Sequence, residues 1–390
     1  MTEFALVLGK GKDKAVRNRH PWIFSGAVAR TPAGLEDGGL AEVRSEDGEI
    51  LGHAYVNRRC SILARMVSFG AEPPLDALRR NLDGAWALRS GLVAGTSDAF
   101  RVVHGEGDGL PGLVVDKYAD VCVIQVTTLG MERLKPVVLE RLRGLLKPRV
   151  LYEKSSSPAR REEGLADAEG ALEGTLDGPV EIVENGRRFL VDIERGQKTG
   201  FFLDQREMRE LVVRLSPGRR VLNAFSYTGG FSVCALAGGA LRVDAVDTSE
   251  AALALARRSV RLNGLEESKA GFEAADVFGV LRRKTLDYDF IILDPPAFAK
   301  KKTDVVPACR GYKDINRLAM LRLPPGGLLL TFSCSHFVDE ALFRRVLFQA
   351  AREADRTVRI LQKHRMAFDH PLNVYHPESE YLKGFLLHVA

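Results

Sequence analysis

Cysteine is scarce in this chain, and the little present carries no pattern. The five thiols, Cys60, Cys122, Cys234, Cys309 and Cys334, are odd in number and scattered, with no CxxC pair and no Cys/His grouping at metal-ligand spacing. That argues against a disulfide framework and against zinc, so no metal is expected. Long apolar runs are lacking too. No stretch approaches the roughly 18 apolar residues that cross a bilayer, and the start MTEFALVLGKGKDK has no apolar core of a signal peptide, so a cytoplasmic address is expected. The turn Asn223–Phe231, where a dinucleotide fingerprint would have to stand, lacks GxGxxG, and internal repeats and low-complexity tracts are absent. What remains is 45% apolar and 27% charged, the balance of a folded chain. Its length of 390 residues exceeds one ordinary core and predicts two or three domains. A net charge of +5 permits a polyanionic partner without requiring one.

Three stretches differ in rhythm. Residues 1–72 open with a basic run (Lys10, Lys12, Lys14, Arg17, Arg19, Arg30 against Asp13), followed by short apolar runs broken by glycine, which predicts a small β domain. Pro73-Pro74 ends it. Residues 73–179 read as a mixed α/β module, with a helix over 75–92, strands at 113–117 and 121–127, a helix over 131–146 and a strand at 150–153. The charged, glycine-bearing stretch 160–178 closes the module. From residue 180, strands alternate with helices (strands 220–223, 242–246, 271–275, 290–293), the pattern of a parallel doubly wound sheet, with 357–362 and 382–389 as a terminal hairpin-like pair.

In such sheets ligands sit beyond the carboxyl ends of the strands. The first turn there, Asn223-Ala-Phe-Ser-Tyr-Thr-Gly-Gly-Phe231, lets backbone approach a ligand at Gly229 and Gly230. The second strand ends at Asp247, whose carboxylate can accept ribose hydroxyls, although Asp247-Thr-Ser249 also precedes a helix and capping alone would explain a polar residue. The third ends at Asp276-Val277, suited to an adenine amino group, and the fourth at Asp294-Pro295-Pro296-Ala-Phe298. Four strand ends in order carry polar or glycine features.

This ordered set resembles the class I S-adenosylmethionine methyltransferases, a Rossmann-like fold, over residues 181–390. Upstream, Gln197-Lys-Thr-Gly-Phe-Phe-Leu-Asp-Gln-Arg206 resembles a segment that folds over the cofactor in large-subunit ribosomal RNA methyltransferases. The cofactor set implied is Lys198, Phe202, Asp204, Gln205, Arg206, Asn223, Phe225, Tyr227, Thr228, Gly229, Asp247, Ser249, Asn263, Asp276, Val277 and Asp294, holding S-adenosyl-L-methionine.

Cys334 adds a chemistry. It lies in Ser333-Cys-Ser335, just past an apolar strand and at the same edge of the sheet as Asp294. Carbon 5 of cytosine is a poor nucleophile, but a thiolate added to carbon 6 converts the ring into an enamine-like nucleophile at carbon 5. Cys334 is therefore the candidate nucleophile and Asp294 the group that orients the base and handles a proton. His336 stays outside the catalytic set. Cys60, Cys122 and Cys234 read as apolar core, and Cys309, in an expected loop over 300–313, is unassigned. Pro295, Pro296 and Phe298 would meet the target base, while Lys300, Lys301, Arg17 and Arg19 would meet RNA phosphates.

The segment Arg17-Asn-Arg-His-Pro-Trp-Ile-Phe-Ser-Gly26 resembles the opening of a PUA-like β barrel. The order of PUA-like barrel, central mixed α/β domain and Rossmann-like methyltransferase resembles the bacterial 23S ribosomal RNA cytosine-C5 methyltransferases of the RlmI/RlmO type. That resemblance implies 23S ribosomal RNA or a large-subunit assembly intermediate as partner, involves no membrane, and leaves a homodimer open. Two other readings stay open: methylation of a base nitrogen, which Asp-Pro-Pro would also serve, and a non-catalytic RNA-binding assembly factor.

Overall fold

The computed structural model describes residues 4–283 and 287–390. It divides into two compact units. One comprises Met1–Ile182, Asp192–Leu203 and Phe368–Glu380, the other Val183–Val191, Asp204–Ala367 and Tyr381–Ala390.

The first unit holds two sheets. The N-terminal one has six strands, β1 (Ala5–Leu8), β2 (Trp22–Phe24), β3 (Val28–Arg30), β4 (Leu40–Arg44), β5 (Ile50–Val56) and β6 (Ile62–Phe69), in the order β2-β6-β5-β4-β1-β3. Strict alternation in β1 and β4 turns Leu6, Leu8, Ala41 and Val43 into the core, as period-two sequences must. The basic run forms a short helix, α1 (Lys14–Arg17), between β1 and β2. The second sheet has five strands, β7 (Ala99–His104), β8 (Leu113–Tyr118), β9 (Val121–Val126), β10 (Val150–Ser155) and β11 (Ala168–Glu173), ordered β11-β10-β9-β8-β7. Helices α2 (Pro74–Leu92) and α3 (Leu129–Leu146) pack with it, and α3 makes the crossover between the parallel strands β9 and β10. The stretch 160–178, expected only to close the module, instead contains part of α4 (Pro158–Glu162) and all of β11, paired antiparallel to β10.

A two-stranded ribbon, β12 (Val180–Glu184) and β13 (Arg187–Val191), precedes the third sheet. In the second unit helix α5 (Arg206–Leu215) leads into β14 (Arg220–Ala224), α6 (Gly230–Ala237), β15 (Arg242–Asp247), α7 (Glu250–Leu262), β16 (Ala270–Ala274), α8 (Val277–Arg282), β17 (Phe290–Leu293), α9 (Val305–Arg322), β18 (Gly327–Ser333), α10 (Glu340–Glu353), β19 (Val358–Lys363) and β20 (Lys383–Val389). The sheet order is β16-β15-β14-β17-β18-β20-β19, with the first five strands parallel and β20 antiparallel to both neighbours. The doubly wound sheet and its terminal hairpin-like pair are thus as expected. Pairings Ala224↔Val246, Ala224↔Leu293 and Leu293↔Thr331 keep the carboxyl ends of the central strands level, so whatever follows each strand arrives at one edge.

One expectation fails locally. The loop over 300–313 is mostly helix, because α9 begins at Val305. Lysines and Pro307 disguise it, yet proline is tolerated in a helix's first turn. Ala308, Tyr312, Ile315 and Ala319 then recur every three or four residues and are buried in the same core as Leu293 and Leu329.

Candidate active site

The turn after β14 is built around backbone conformations most side chains avoid. Phe225 and Tyr227 have φ of 60° and 47°, and Gly229, at the N-terminus of α6, has φ of 78°. A Cβ on Gly229 would lie 2.6 Å from the Cβ of Ala256 on α7, so glycine is required by space as well as by φ. Strain of this kind persists where the surroundings enforce it. Here the enforcement comes from Asp247, whose Oδ2 accepts from Tyr227 N at 2.9 Å and whose Oδ1 accepts from Ser249 N at 2.9 Å. Ser249, not Asp247, caps α7 by accepting from Ala252 N. The capping explanation for Asp247 thus passes to its neighbour, and the aspartate's remaining lone pairs are available to a ligand.

Three buried polar atoms in this turn, Asn223 Oδ1, Ser226 Oγ and Thr228 Oγ1, have no hydrogen-bond partner in the protein. Buried polar groups are normally satisfied, so this cluster marks where a polar ligand group belongs. The sugar and amino-acid ends of S-adenosylmethionine fit those donors and acceptors. Asp276 caps α8, accepting from Gly279 N at 2.8 Å, and Val277 beside it is buried. Asn263, by contrast, is not brought to this edge. It lies at the other end of α7, about 20 Å from Ser249 at 1.5 Å per residue. There its side chain bonds Arg188 and Ser259.

The fourth and fifth strand ends are tied together. Cys334 Sγ lies 3.8 Å from the carbonyl oxygen of Pro295, a sulfur donor's reach, and Ser335 Oγ accepts from Ala299 N at 3.0 Å. Tyr312 from α9 reaches Ser335 Oγ at 2.9 Å, and the buried Lys383 donates from Nζ to Ser335 O and Tyr381 O, both at 2.7 Å. Asp294 accepts from Gln205 Nε2 at 2.8 Å, and Asp204 accepts from the Tyr381 hydroxyl. Ser226, Tyr312, Tyr381 and Lys383 escaped the sequence reading. Tyr381 and Lys383 precede or open an antiparallel edge pair, where no strand-end rule points.

Other expected residues have different neighbours. Phe298 is half-buried with its ring 4.6 Å from that of Tyr312, while Pro296, Lys300 and Lys301 are exposed. Arg206 is buried 3.4 Å from Glu184, the same carboxylate that Arg209 grips with two hydrogen bonds of 2.6 Å. Lys198 and Phe202 belong to the first unit, with the Lys198 ammonium 4.5 Å from the Phe202 ring centre. Arg17, also there, is engaged by Asp13 and Glu49, and Arg19 is exposed.

The remaining thiols are chemically quiet. Burial pushes Cys122 and Cys234 up to about 12 and Cys60 up to about 11, and raises Cys309 as well. A thiol held protonated is neither nucleophile nor metal ligand.

Residues 166–367 match the family described as S-adenosylmethionine-dependent methyltransferase, and residues 6–69 match the PUA-like domain. The ribosomal RNA large subunit methyltransferase I of Erwinia tasmaniensis is 42% identical over 98% of this chain and 99% of its own length. That of Aeromonas salmonicida is 42% identical over 98% of each chain. Among solved structures, a candidate SAM-dependent methyltransferase from Streptococcus mutans shares the fold, with a TM-score of 0.82, 23% identity, and coverage of 99% of this chain and 100% of its own. S-adenosylmethionine is accordingly the cofactor, and the chain belongs to the S-adenosylmethionine-dependent methyltransferases of the ribosomal RNA large subunit methyltransferase I family.

Proposed function

We propose that this protein methylates carbon 5 of a cytosine in 23S ribosomal RNA, presented free or in a large-subunit assembly intermediate, in the cytoplasm. The names of its relatives support large-subunit ribosomal RNA as the substrate class. The observation that carries the carbon-5 reading is the half-buried thiol of Cys334 against the carbonyl of Pro295. A nitrogen acceptor has its own lone pair and needs no thiol at that place.

In this reading the Cys334 thiolate forms a bond to carbon 6, and the electron pair of the 5,6 double bond moves to carbon 5. The cofactor would supply an electrophilic methyl there, its sulfur keeping the electron pair of the broken S–CH3 bond and leaving as S-adenosylhomocysteine. Loss of the carbon-5 proton to a base re-forms the double bond and expels sulfur. Asp294, held by Gln205, and the Pro295 carbonyl orient the cytosine. Asp247 holds the ribose, Asp276 and Val277 the adenine, and Asn223, Phe225, Tyr227, Thr228 and Gly229 the amino-acid end. Lys198, Phe202, Asp204, Gln205 and Arg206 form the preceding cofactor segment. Pro296 and Phe298 line the base site, and Lys300, Lys301, Arg17 and Arg19 hold phosphates. The functional division is 1–72 as a PUA-like RNA-binding domain, 73–179 as a central α/β domain and 180–390 as the methyltransferase domain.

RNA carrying 5-fluorocytosine is the test, because fluorine on carbon 5 blocks the final elimination. A covalent protein–RNA adduct should form with the parent protein and be lost in Cys334→Ala. A methylated base nitrogen in the nucleoside product, or full turnover by Cys334→Ala, would overturn the proposal.

A further inference from the structure

The segment Phe368–Glu380 is stitched into the first unit. Arg89 Nη2 donates to Asp369 O at 2.9 Å, Asp369 Oδ2 accepts from Arg101 N at 2.9 Å, and Asn373 Nδ2 donates to Glu106 O at 3.1 Å. Further along, His376 and Glu378 meet His20, which precedes β2. One ligand atom from each of the three lies within 4.8 Å of the other two. His20 Nε2 is 3.6 Å from one Glu378 oxygen, and His376 Nε2 is 3.8 Å from the other. These separations, to different carboxylate oxygens, are long for hydrogen bonds, and binding an ion would draw the three ligand atoms in to the ~3.3–3.6 Å edges of a tetrahedron with ligands about 2.0–2.2 Å from its centre.

His376 gives the independent sign. Its side chain is 2% exposed, its Nδ1 lies 2.6 Å from Ser379 Oγ, and its buried Nε2 has no hydrogen-bond partner. A ring fixed through Nδ1 presents Nε2 as a free ligand, the usual arrangement of metal-bound histidine. His20 Nδ1 lies between Trp22 N, which donates to it at 3.1 Å, and Trp22 O at 3.3 Å, so a metal on Nε2 would select the tautomer in which Nδ1 donates to that carbonyl. Trp22 forms the wall, its ring 4.3 Å from that of His376 and its Nε1 donating to Glu106 at 2.9 Å.

We propose that His20, His376 and Glu378 form a Zn²⁺ site that fastens the segment Phe368–Glu380 to the N-terminal sheet. Two imidazoles and one carboxylate suit a borderline first-row ion, whereas Ca²⁺ and Mg²⁺ want mostly oxygen ligands. Glu378 is 46% exposed, so the fourth position faces solvent and takes water.

The full chain, stripped with a chelator, is titrated with Zn²⁺ against a chromophoric competitor and with Co²⁺ while visible spectra are recorded. The expected result is one equivalent bound, with the intense visible bands of four-coordinate Co²⁺ and a raised melting temperature in Zn²⁺. His20→Gln and Glu378→Gln, at positions reached by solvent, should each weaken Zn²⁺ binding about tenfold or more. Cys334→Ser should bind as the parent does, which separates this site from the reactive thiol. Absence of a bound equivalent in the parent, or unchanged affinity in both His20→Gln and Glu378→Gln, overturns the proposal.

Discussion

Gln205 Nε2 donates to Asp294 Oδ2 at 2.8 Å, joining the segment before the first strand of the third sheet to the carboxyl end of its fourth. A carboxylate expected to orient a base works only if it is itself held. Gln205→Ala should therefore lower kcat/KM for RNA by about 5- to 30-fold, equivalent to about 1–2 kcal/mol for one lost hydrogen bond to a charged group. Steady-state kinetics with labelled cofactor check this, and an unchanged kcat/KM would remove Gln205 from the site.

Asp247 does two jobs that substitution separates. Its oxygens hold the backbone N–H groups of Tyr227 and Ser249, which leaves lone pairs for the proposed ribose contact. Asp247→Ala should weaken cofactor binding by roughly 1.5–3 kcal/mol, through lost charge-assisted bonds and a loosened turn. Asp247→Asn keeps one acceptor oxygen and should lose less. Calorimetry with S-adenosylhomocysteine measures both, and equal affinities across the three proteins would refute the assignment.

The thiols differ enough to be sorted by alkylation. With pKa values pushed up to about 12, Cys122 and Cys234 hold about one part in 10⁴ as thiolate at pH 8 and are shielded as well. Native protein treated with iodoacetamide at pH 8 should lose turnover as Cys334 is labelled, while Cys122 and Cys234 react only after unfolding. Because thiolate rises tenfold per pH unit below the pKa, raising the pH to 9 leaves those two still about 10³-fold short of full ionisation. Peptide mass spectrometry reads the order of labelling, and early labelling of Cys234 would contradict its burial.

Much of the second unit was legible because parallel strands and crossover helices write distinct periods, and strand-end chemistry follows each strand directly in sequence. Asp247, Asp276, Asp294 and Cys334 could be read in this way. The strands β1 to β3 were harder, since three- and four-residue strands give too few alternations to stand out. Helix α9 was hidden by the lysines and proline at its start. Residues that reach these strand ends from afar, such as Tyr381 on Asp204 and Lys383 on Ser335, leave no local signal, because they arrive with the antiparallel strand β20. The same is true of His20 and His376, whose proximity no spacing rule could register.

Arg206 came from a motif, and its surroundings give it a structural duty. It and Arg209 converge on Glu184, with all three side chains no more than 4% exposed. Two buried guanidiniums facing one carboxylate favour its charged form. Glu184→Gln keeps the shape and some hydrogen bonding but removes the negative charge on which both guanidiniums converge, and breaking a buried pair in this way costs about 3–5 kcal/mol. Urea unfolding should register a loss of that order. Replacing Arg209 alone with Met removes one of the two cations and leaves Arg206 to balance Glu184, so it should cost less than Glu184→Gln. The opposite ranking would mean that Arg206 is balanced by something other than Glu184.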